Sequence, residues 1–158
     1  MVKLIEFQPI THEQFESMRK IVNSNHEFNT LSEGHPELTD EEILKMYESA
    51  KKQGTLMNFI MDGGRPVGII DYLMENPSDK MPWLGLLMIH RDYQGQGYAV
   101  EALKQYECLM QDQGKKRVRL GVIKGNNRAL NFWTKRGFIF YEEKQGKNWT
   151  VLCFEKTL

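Results

Sequence analysis

The stretch Ile89-His90-Arg91-Asp92-Tyr93-Gln94-Gly95-Gln96-Gly97-Tyr98-Ala99 decides how this chain is read. An apolar run, Trp83–Ile89, leads straight into it, and Ala99, Leu103, Tyr106 and Met110 follow at helical spacing. A strand, a glycine-rich loop and a helix in that order form an anion-binding device. Free N–H groups of the first helical turn point outward, and the helix dipole favours negative charge. Gly95 and Gly97 let a bulky phosphate approach the backbone closely. The loop is not a P-loop, because the glycines are too close together and no Gly-Lys-Ser/Thr follows. Nor is it the dinucleotide fingerprint, since Val100 stands where the third glycine belongs.

What remains is Gln94-x-x-Gly97-x-Ala99. It resembles the Gln/Arg-x-x-Gly-x-Gly/Ala motif of the GCN5-related N-acetyltransferases, a family that binds acetyl-coenzyme A (acetyl-CoA). A second segment, Asn126-Asn127-Arg128-Ala129-Leu130-Asn131-Phe132-Trp133-Thr134-Lys135-Arg136-Gly137-Phe138, is similar to that family's Asn-x-x-Ala-x-x-Phe-Tyr-x-x-x-Gly-Phe motif. Two ordered motifs are far more specific than one, and together they cover roughly the last half of the chain.

The resemblance implies an N-acetyltransferase that moves an acetyl group from acetyl-CoA to a primary amine by direct attack in a ternary complex. It implies a pyrophosphate held by the loop, through Gln94, Gly95, Gln96, Gly97, Tyr98 and Ala99. The main-chain amide of Gln94 matters more in that picture than its side chain, and Ala99 is small enough to let the helix pack close to the strand end. The strand Trp83–Ile89 is expected to splay from the strand Val118–Ile123, so that pantetheine pairs with backbone near Leu87 and Ile89. A main-chain N–H near Met88 then points at the thioester oxygen as a catalytic donor. Asn126 falls where the family places a side-chain contact to the cofactor; as the residue before a helix it also fits an N-cap, and so does Asn127.

Trp133 departs from the family pattern, which has Tyr there, the residue proposed to protonate the departing thiolate. An indole N–H donates a hydrogen bond but is no acid near neutral pH. Either the thiolate leaves unprotonated, since thiols ionise near ~8.5, or another hydroxyl such as Tyr98 or Tyr141 substitutes. Phe132 reads as core, and Trp133 as facing the cofactor. The family's strand acid is missing too: Trp83–Ile89 carries no carboxylate. On Val67–Leu73 the residues Val67, Ile69, Asp71 and Leu73 share a face by period two, which makes Asp71 an acid on an apolar face. Asp71 is the expected catalytic base, acting through water with a raised pKa; Glu75, or plain solvent exposure of Asp71, are the alternatives.

The acceptor pocket is expected from Asn25–Leu38, the second helix and the Glu75–Trp83 turn. Glu27, Glu33, Glu37 and Glu75 could favour a cation, and Phe28, Tyr72 and Trp83 could wall it. The acceptor is a small molecule or a peptide amine. Two missing groups, the tyrosine and the strand acid, keep a rival open: a non-catalytic acyl-CoA-binding sensor or regulatory module.

Composition bounds these readings. The 158 residues suit one domain, 1–158, and the 41% hydrophobic and 27% charged fractions are those of a globular protein rather than a disordered one. Zero net charge argues against a nucleic-acid partner. Lys115-Lys116-Arg117 is the only compact basic run and reads as a solvated turn. No apolar stretch approaches the ~20 residues of a membrane span, and the start Met1–Phe7 is too short and alternating for a signal peptide. Cys108 and Cys153 are isolated, and His12, His26, His35 and His90 are scattered, so no metal is expected. The expected compartment is the cytoplasm, and a homodimer is compatible with the chain.

Periodicity and turn chemistry predict the order β-α-α-β-β-β-α-β-α-β-β. The strands are Val2–Phe7, Leu56–Met61, Val67–Leu73, Trp83–Ile89, Val118–Val122, Phe138–Tyr141 and Thr150–Phe154. Capping boxes at Thr11-His12-Glu13-Gln14 and Thr39-Asp40-Glu41-Glu42 start two helices, the first running to about Asn23. Asn25–Leu38, polar and holding Gly34 and Pro36, reads as a loop. The fold class is α/β, of the α+β kind: a mixed, mostly antiparallel sheet flanked by helices, with one parallel crossover through the helix after the glycine loop.

Overall fold

The computed structural model describes residues 3–158. In chain order its elements are β1 (Glu6–Pro9), a 3-10 turn (His12–Gln14), α1 (Phe15–Val22), α2 (His26–Glu33), α3 (Asp40–Lys52), β2 (Leu56–Asp62) and β3 (Arg65–Leu73). Then come β4 (Trp83–Ile89), a second 3-10 turn (Arg91–Tyr93), α4 (Tyr98–Asp112), β5 (Arg117–Ile123), α5 (Asn127–Lys135), β6 (Ile139–Gln145) and β7 (Thr150–Thr157). The strands form one sheet in the order β1-β2-β3-β4-β5-β7-β6. Neighbours are antiparallel except β4 and β5, the parallel pair that the α4 crossover joins. The sheet is therefore mixed and mostly antiparallel, as the pattern predicts. Part of the predicted first strand, at Val2, lies outside the described residues.

Helices cover both faces. α4 and α5 press Leu103, Tyr106, Met110 and Trp133 onto Ile70, Tyr72, Leu84 and Leu120. α1 and α3 press Met18, Ile21, Ile43 and Tyr47 onto Met57, Phe59, Ile69 and Met88. Each fully buried side chain of this kind contributes about 1.5–3 kcal/mol of transfer free energy. Thr39 caps α3: its hydroxyl accepts from the Glu42 amide at 3.1 Å, and Glu42 Oε1 accepts from the Thr39 amide at 2.9 Å. At Thr11 the same pattern opens one 3-10 turn before α1 begins at Phe15.

Two expectations are corrected. The segment predicted as a loop over Asn25–Leu38 contains α2. Its Asn29 is buried, and Asn29 Nδ2 donates to the Val22 and Pro36 carbonyls, both at 2.9 Å. Gly34 is the left-handed C-cap of that helix, with φ 87° and its amide on the Thr30 carbonyl. The helix is held by polar tertiary bonds, so hydropathy does not reveal it. Second, Val67 does not share a face with Ile69 and Asp71. A β-bulge opposite Ile60 and Met61 shifts it to the α4 side, where it packs with Ile70 and Tyr72.

Among the described residues no helix is long and apolar enough to cross a membrane, and no group of histidines, cysteines and carboxylates could hold a metal ion.

Candidate functional site

β4 and β5 pair only at Trp83–Arg119 and Leu84–Leu120. Beyond that point they part. A second bulge opposite Asp71 and Tyr72 leaves Gly85 as an extra residue of β4 and turns the strand away. A groove of about 970 Å³ opens between Leu86–Ile89 on one side and Gly125–Trp133 on the other. The volume is that of a site for a sizeable small molecule. The loop after β4 and the first turn of α4 close one end of the groove, and α2 lies over it through His26, Glu27, Phe28 and Leu31. A hydrogen bond from Trp149 Nε1 to the Ser32 carbonyl, 2.9 Å, ties α2 to the β6–β7 hairpin.

Gly95 and Gly97 have φ of 77° and 92°, a region where other residues are strained. Gly97 is the last residue before α4, and its carbonyl accepts from the Glu101 amide at 3.1 Å. That leaves the first-turn amides of Tyr98, Ala99 and Val100 facing the groove without a helical partner. Arg91 and Arg128 also line the groove and bring two guanidinium groups to it.

The Gln94 side chain is a hub. Its Nε2 donates to Asn25 Oδ1 and to the Ile89 carbonyl, both at 3.0 Å, while its Oε1 accepts from Arg128 Nη2 at 3.1 Å. Asn25 Nδ2 reaches the same Ile89 carbonyl at 3.2 Å. The side chain expected to matter less than its own amide thus joins the end of β4, the start of α2 and the start of α5. Gln96 does not face the groove; its amide folds back on the Asp92 carbonyl at 3.2 Å.

Backbone direction along β4 corrects one expectation. The His90 amide donates to the Val67 carbonyl at 2.8 Å, and the Met88 carbonyl lies against Gly68 of β3. Peptide groups alternate sides along a strand, so the Met88 amide also points at β3. Leu87 and Ile89 turn their backbone groups to the groove, as the Ile89 carbonyl shows. The Met88 side chain is buried between the sheet and α1 and α3.

Asn126 caps α5: its Oδ1 accepts from the Ala129 amide at 3.2 Å, while the residue also lines the groove. Trp133 is nine-tenths buried between Phe132 and Phe138, with ring centroids at 4.9 and 5.3 Å, and forms part of the groove wall. Phe132, read as core, reaches the groove as well. Of the candidate hydroxyl acids, Tyr98 is engaged in a hydrogen bond and Tyr141 lies outside the groove lining. Tyr98 donates to the Asp62 carboxylate, which pushes the phenol's pKa up and holds that of Asp62 down. This bond anchors the glycine loop to the β2–β3 hairpin. Tyr141 lies beneath the Arg119 guanidinium, 4.5 Å from its ring centroid, and burial pushes its pKa up to about 12.

Asp71 is not in the groove. It faces a second cavity of about 330 Å³ between α3 and β3–β4, lined also by Ala50, Leu73, Asn76, Trp83 and Gly85. The carboxylate occupies the space where a Cβ on residue 85 would stand. Burial alone pushes its pKa up to about 7, with no hydrogen bond to offset it. Trp83 is fixed by Nε1 donating to Asp79 Oδ2 at 2.8 Å, and the same carboxylate oxygen accepts from Arg119 at 3.1 Å. Glu75 lines neither cavity. Of the other acceptor candidates, Glu27 and Phe28 lie on the groove, Tyr72 is buried under α4 against Tyr106, and Trp83 alone lines the Asp71 cavity.

The family model of the GNAT acetyltransferases matches residues 15–138. The chain belongs to the GNAT acetyltransferase family. The match spans both motifs, the parted strands and the helices that flank them. A comparison of the sequence with curated proteins finds no match. Solved structures share the fold. An acetyltransferase from Thermus thermophilus superposes with a TM-score of 0.84 at 22% identity over all of both chains. An acetyltransferase from Salmonella typhimurium that modifies the N-terminal serine of ribosomal protein L7/L12 gives 0.79 at 14% identity, covering 99% of this chain and 96% of its own. An N-acetyltransferase from Thermoplasma acidophilum in complex with coenzyme A gives 0.69 at 16% identity, covering 98% and 99%.

Proposed function

We propose that this GNAT acetyltransferase takes acetyl-CoA as its acyl donor and acetylates a primary amine by direct attack in a ternary complex. The observation that carries the reading is the parting of β4 from β5 above the free amides of α4. The groove fits the donor on three counts. Its volume suits a long cofactor, its glycine loop admits a pyrophosphate, and Arg91 and Arg128 supply positive charge beside the loop.

In this reading the amides from Gly95 to Ala99 hold the pyrophosphate, and the Gln94 side chain orients Arg128 toward it. Leu87 and the Ile89 amide offer backbone groups to the pantetheine, the Ile89 carbonyl being taken by Gln94 and Asn25. An amide of one of these two residues, rather than that of Met88, donates to the carbonyl oxygen as charge develops there. Asn126 sets the start of α5 and leaves its Nδ2 for the cofactor. Trp133 supplies a flat wall and no acid, so the thiolate leaves unprotonated. Asp71, whose burial raises its pKa to about 7, is suited to take the proton of the amine. With both cysteines free, the cytoplasm is the compartment we propose.

Calorimetry with acetyl-CoA, paired with thiol release in the presence of amines, tests this. Micromolar binding with amine-dependent thiol release is expected. Binding without release from any amine would leave a non-catalytic acyl-CoA sensor, and absence of binding would remove both readings.

A further inference from the structure

We infer that the 330 Å³ cavity under α3 is the acceptor pocket, and that it takes a small primary amine with one cationic nitrogen, an apolar body and no carboxylate. The inference rests on the acetyl-transfer reading and names its substrate class.

The position of the cavity carries the first part. Gly85 lines this cavity and Leu86, the next residue of β4, lines the cofactor groove, so consecutive residues at the bulge face the two spaces. The bulge is where β4 leaves β5, and an acyl group at the end of a pantetheine in the groove would stop near it. Asp71 is paired across the sheet with Leu86. An amine nitrogen held by Asp71 is thus within one residue of the groove.

Chemistry carries the second part. Asp71 is nine-tenths buried, its carboxylate makes no hydrogen bond among the described residues, and it is the only titratable side chain of the lining. A buried carboxylate with no partner is costly to keep, and an ammonium group entering the cavity supplies the missing one. Gly85 completes the device, because any larger residue would fill the space that the carboxylate takes. The rest of the lining is uncharged: Met46, Ala50, Leu73 and the Trp83 indole are apolar, and Ser49, Gln53, Thr55 and Asn76 are neutral polar groups. A second ammonium, as in a polyamine, would find no counter-charge. An amino acid would set its own carboxylate beside Asp71 with no cation to answer it. The volume admits roughly ten non-hydrogen atoms, at the ~30 Å³ share of a water in the liquid, so a peptide would have to leave most of its length outside the cavity.

The reaction balances with these groups alone. The ammonium gives a proton to the Asp71 carboxylate, and the neutral amine attacks the thioester carbon. A C–N bond forms, the C–S bond breaks, and the thiolate leaves with the electron pair. The second amine proton leaves to solvent, and Asp71 returns its own there.

The test uses 2-phenylethylamine, spermidine, phenylalanine and a tripeptide with a free N-terminus, each with acetyl-CoA. A second arm uses Ser49→Trp, at the exposed rim of the cavity on α3, and Ala50→Trp, within it. We expect kcat/KM for 2-phenylethylamine to exceed those of the other three by about tenfold or more. Both variants should raise its KM by a similar factor and leave acetyl-CoA affinity unchanged; Ser49 is exposed, so that variant keeps the fold if the other does not. Faster turnover of spermidine or the peptide overturns the assignment. So does an unmoved KM in Ser49→Trp, or acetyl-CoA binding with no thiol release from 2-phenylethylamine. These outcomes leave acetyl-CoA binding intact, whereas absent binding in the unmodified protein overturns the donor reading itself.

Discussion

Replacing Asp71 by Asn should flatten the pH dependence of stability. The folded carboxyl titrates at about 7 instead of the usual 3.8. Between those values the native state holds a proton that the unfolded state has released, so stability falls as pH rises. The stabilisation is complete below pH 3.8, declines through the window and is gone above about 7. The shift of about three units amounts to about 4 kcal/mol. From pH 5 to pH 8 the share lost is about 3 kcal/mol, or roughly 1–2 M in urea midpoint at an m-value of about 2 kcal/mol/M. An asparagine of the same shape is also without a hydrogen-bond partner, but its cost does not vary with pH. Urea unfolding at pH 5 and pH 8 should therefore show Asp71→Asn losing about 3 kcal/mol less than the unmodified protein across the interval. Parallel stability–pH curves for the two proteins would refute the buried, unpaired carboxylate and with it the pocket built around it.

Other perturbations probe neighbouring groups. Gly85→Ala should destabilise by about 1–3 kcal/mol through collision with Asp71. Adding Asp71→Ala should recover most of that, and strictly additive effects in urea would deny the contact. The rate deficit of Asp71→Asn in thiol release should be greatest near neutral pH and shrink as the free amine fraction grows; a parallel pH–rate profile would rule Asp71 out as the base. Trp133→Tyr should keep turnover at a stability cost of about 1–3 kcal/mol. Severe loss of rate at unchanged acetyl-CoA affinity would give the indole a role of its own. Gly97→Asp should abolish acetyl-CoA binding in calorimetry, while Gly97→Ala, which shares the strain at φ 92° but adds no charge, should only weaken it; equal losses would place the effect in the backbone.

The parts of the site legible in the sequence are those encoded locally. Trp83–Ile89, the glycine loop and α4 follow one another directly, and each is marked by its own periodicity or by glycines that the turn requires. Asn126 is readable as a cap because capping needs only the next three residues. What the sequence hides depends on distant partners. α2 rests on the two bonds of Asn29, and the side of the sheet that Val67 faces depends on a bulge against β2. The direction of the Met88 amide is set by which strand pairs with which edge of β4. The Gln94 hub joins residues from three segments, and Arg128 is visible in the sequence only as one basic residue among many. The Asp71 cavity draws its walls from α3, β3 and β4. Asp71 itself stands out because an acid on an apolar face breaks a pattern of period two.

The Trp149–Ser32 hydrogen bond has a consequence for how the protein assembles. It closes a loop of 117 residues, among the longest separations bridged by any side chain in the fold. Contacts so far apart in sequence form late, because the loop entropy must be lost before they repay it. α2 has few hydrophobic contacts of its own, so this bond is expected to add to the hold of Asn29 and Asn25 once the last hairpin has zipped onto β5. A nascent chain that has folded its central strands is therefore expected to hold that wall of the groove less firmly than the finished protein. Amide exchange during refolding should show α2 gaining protection together with β6 and β7, after α4.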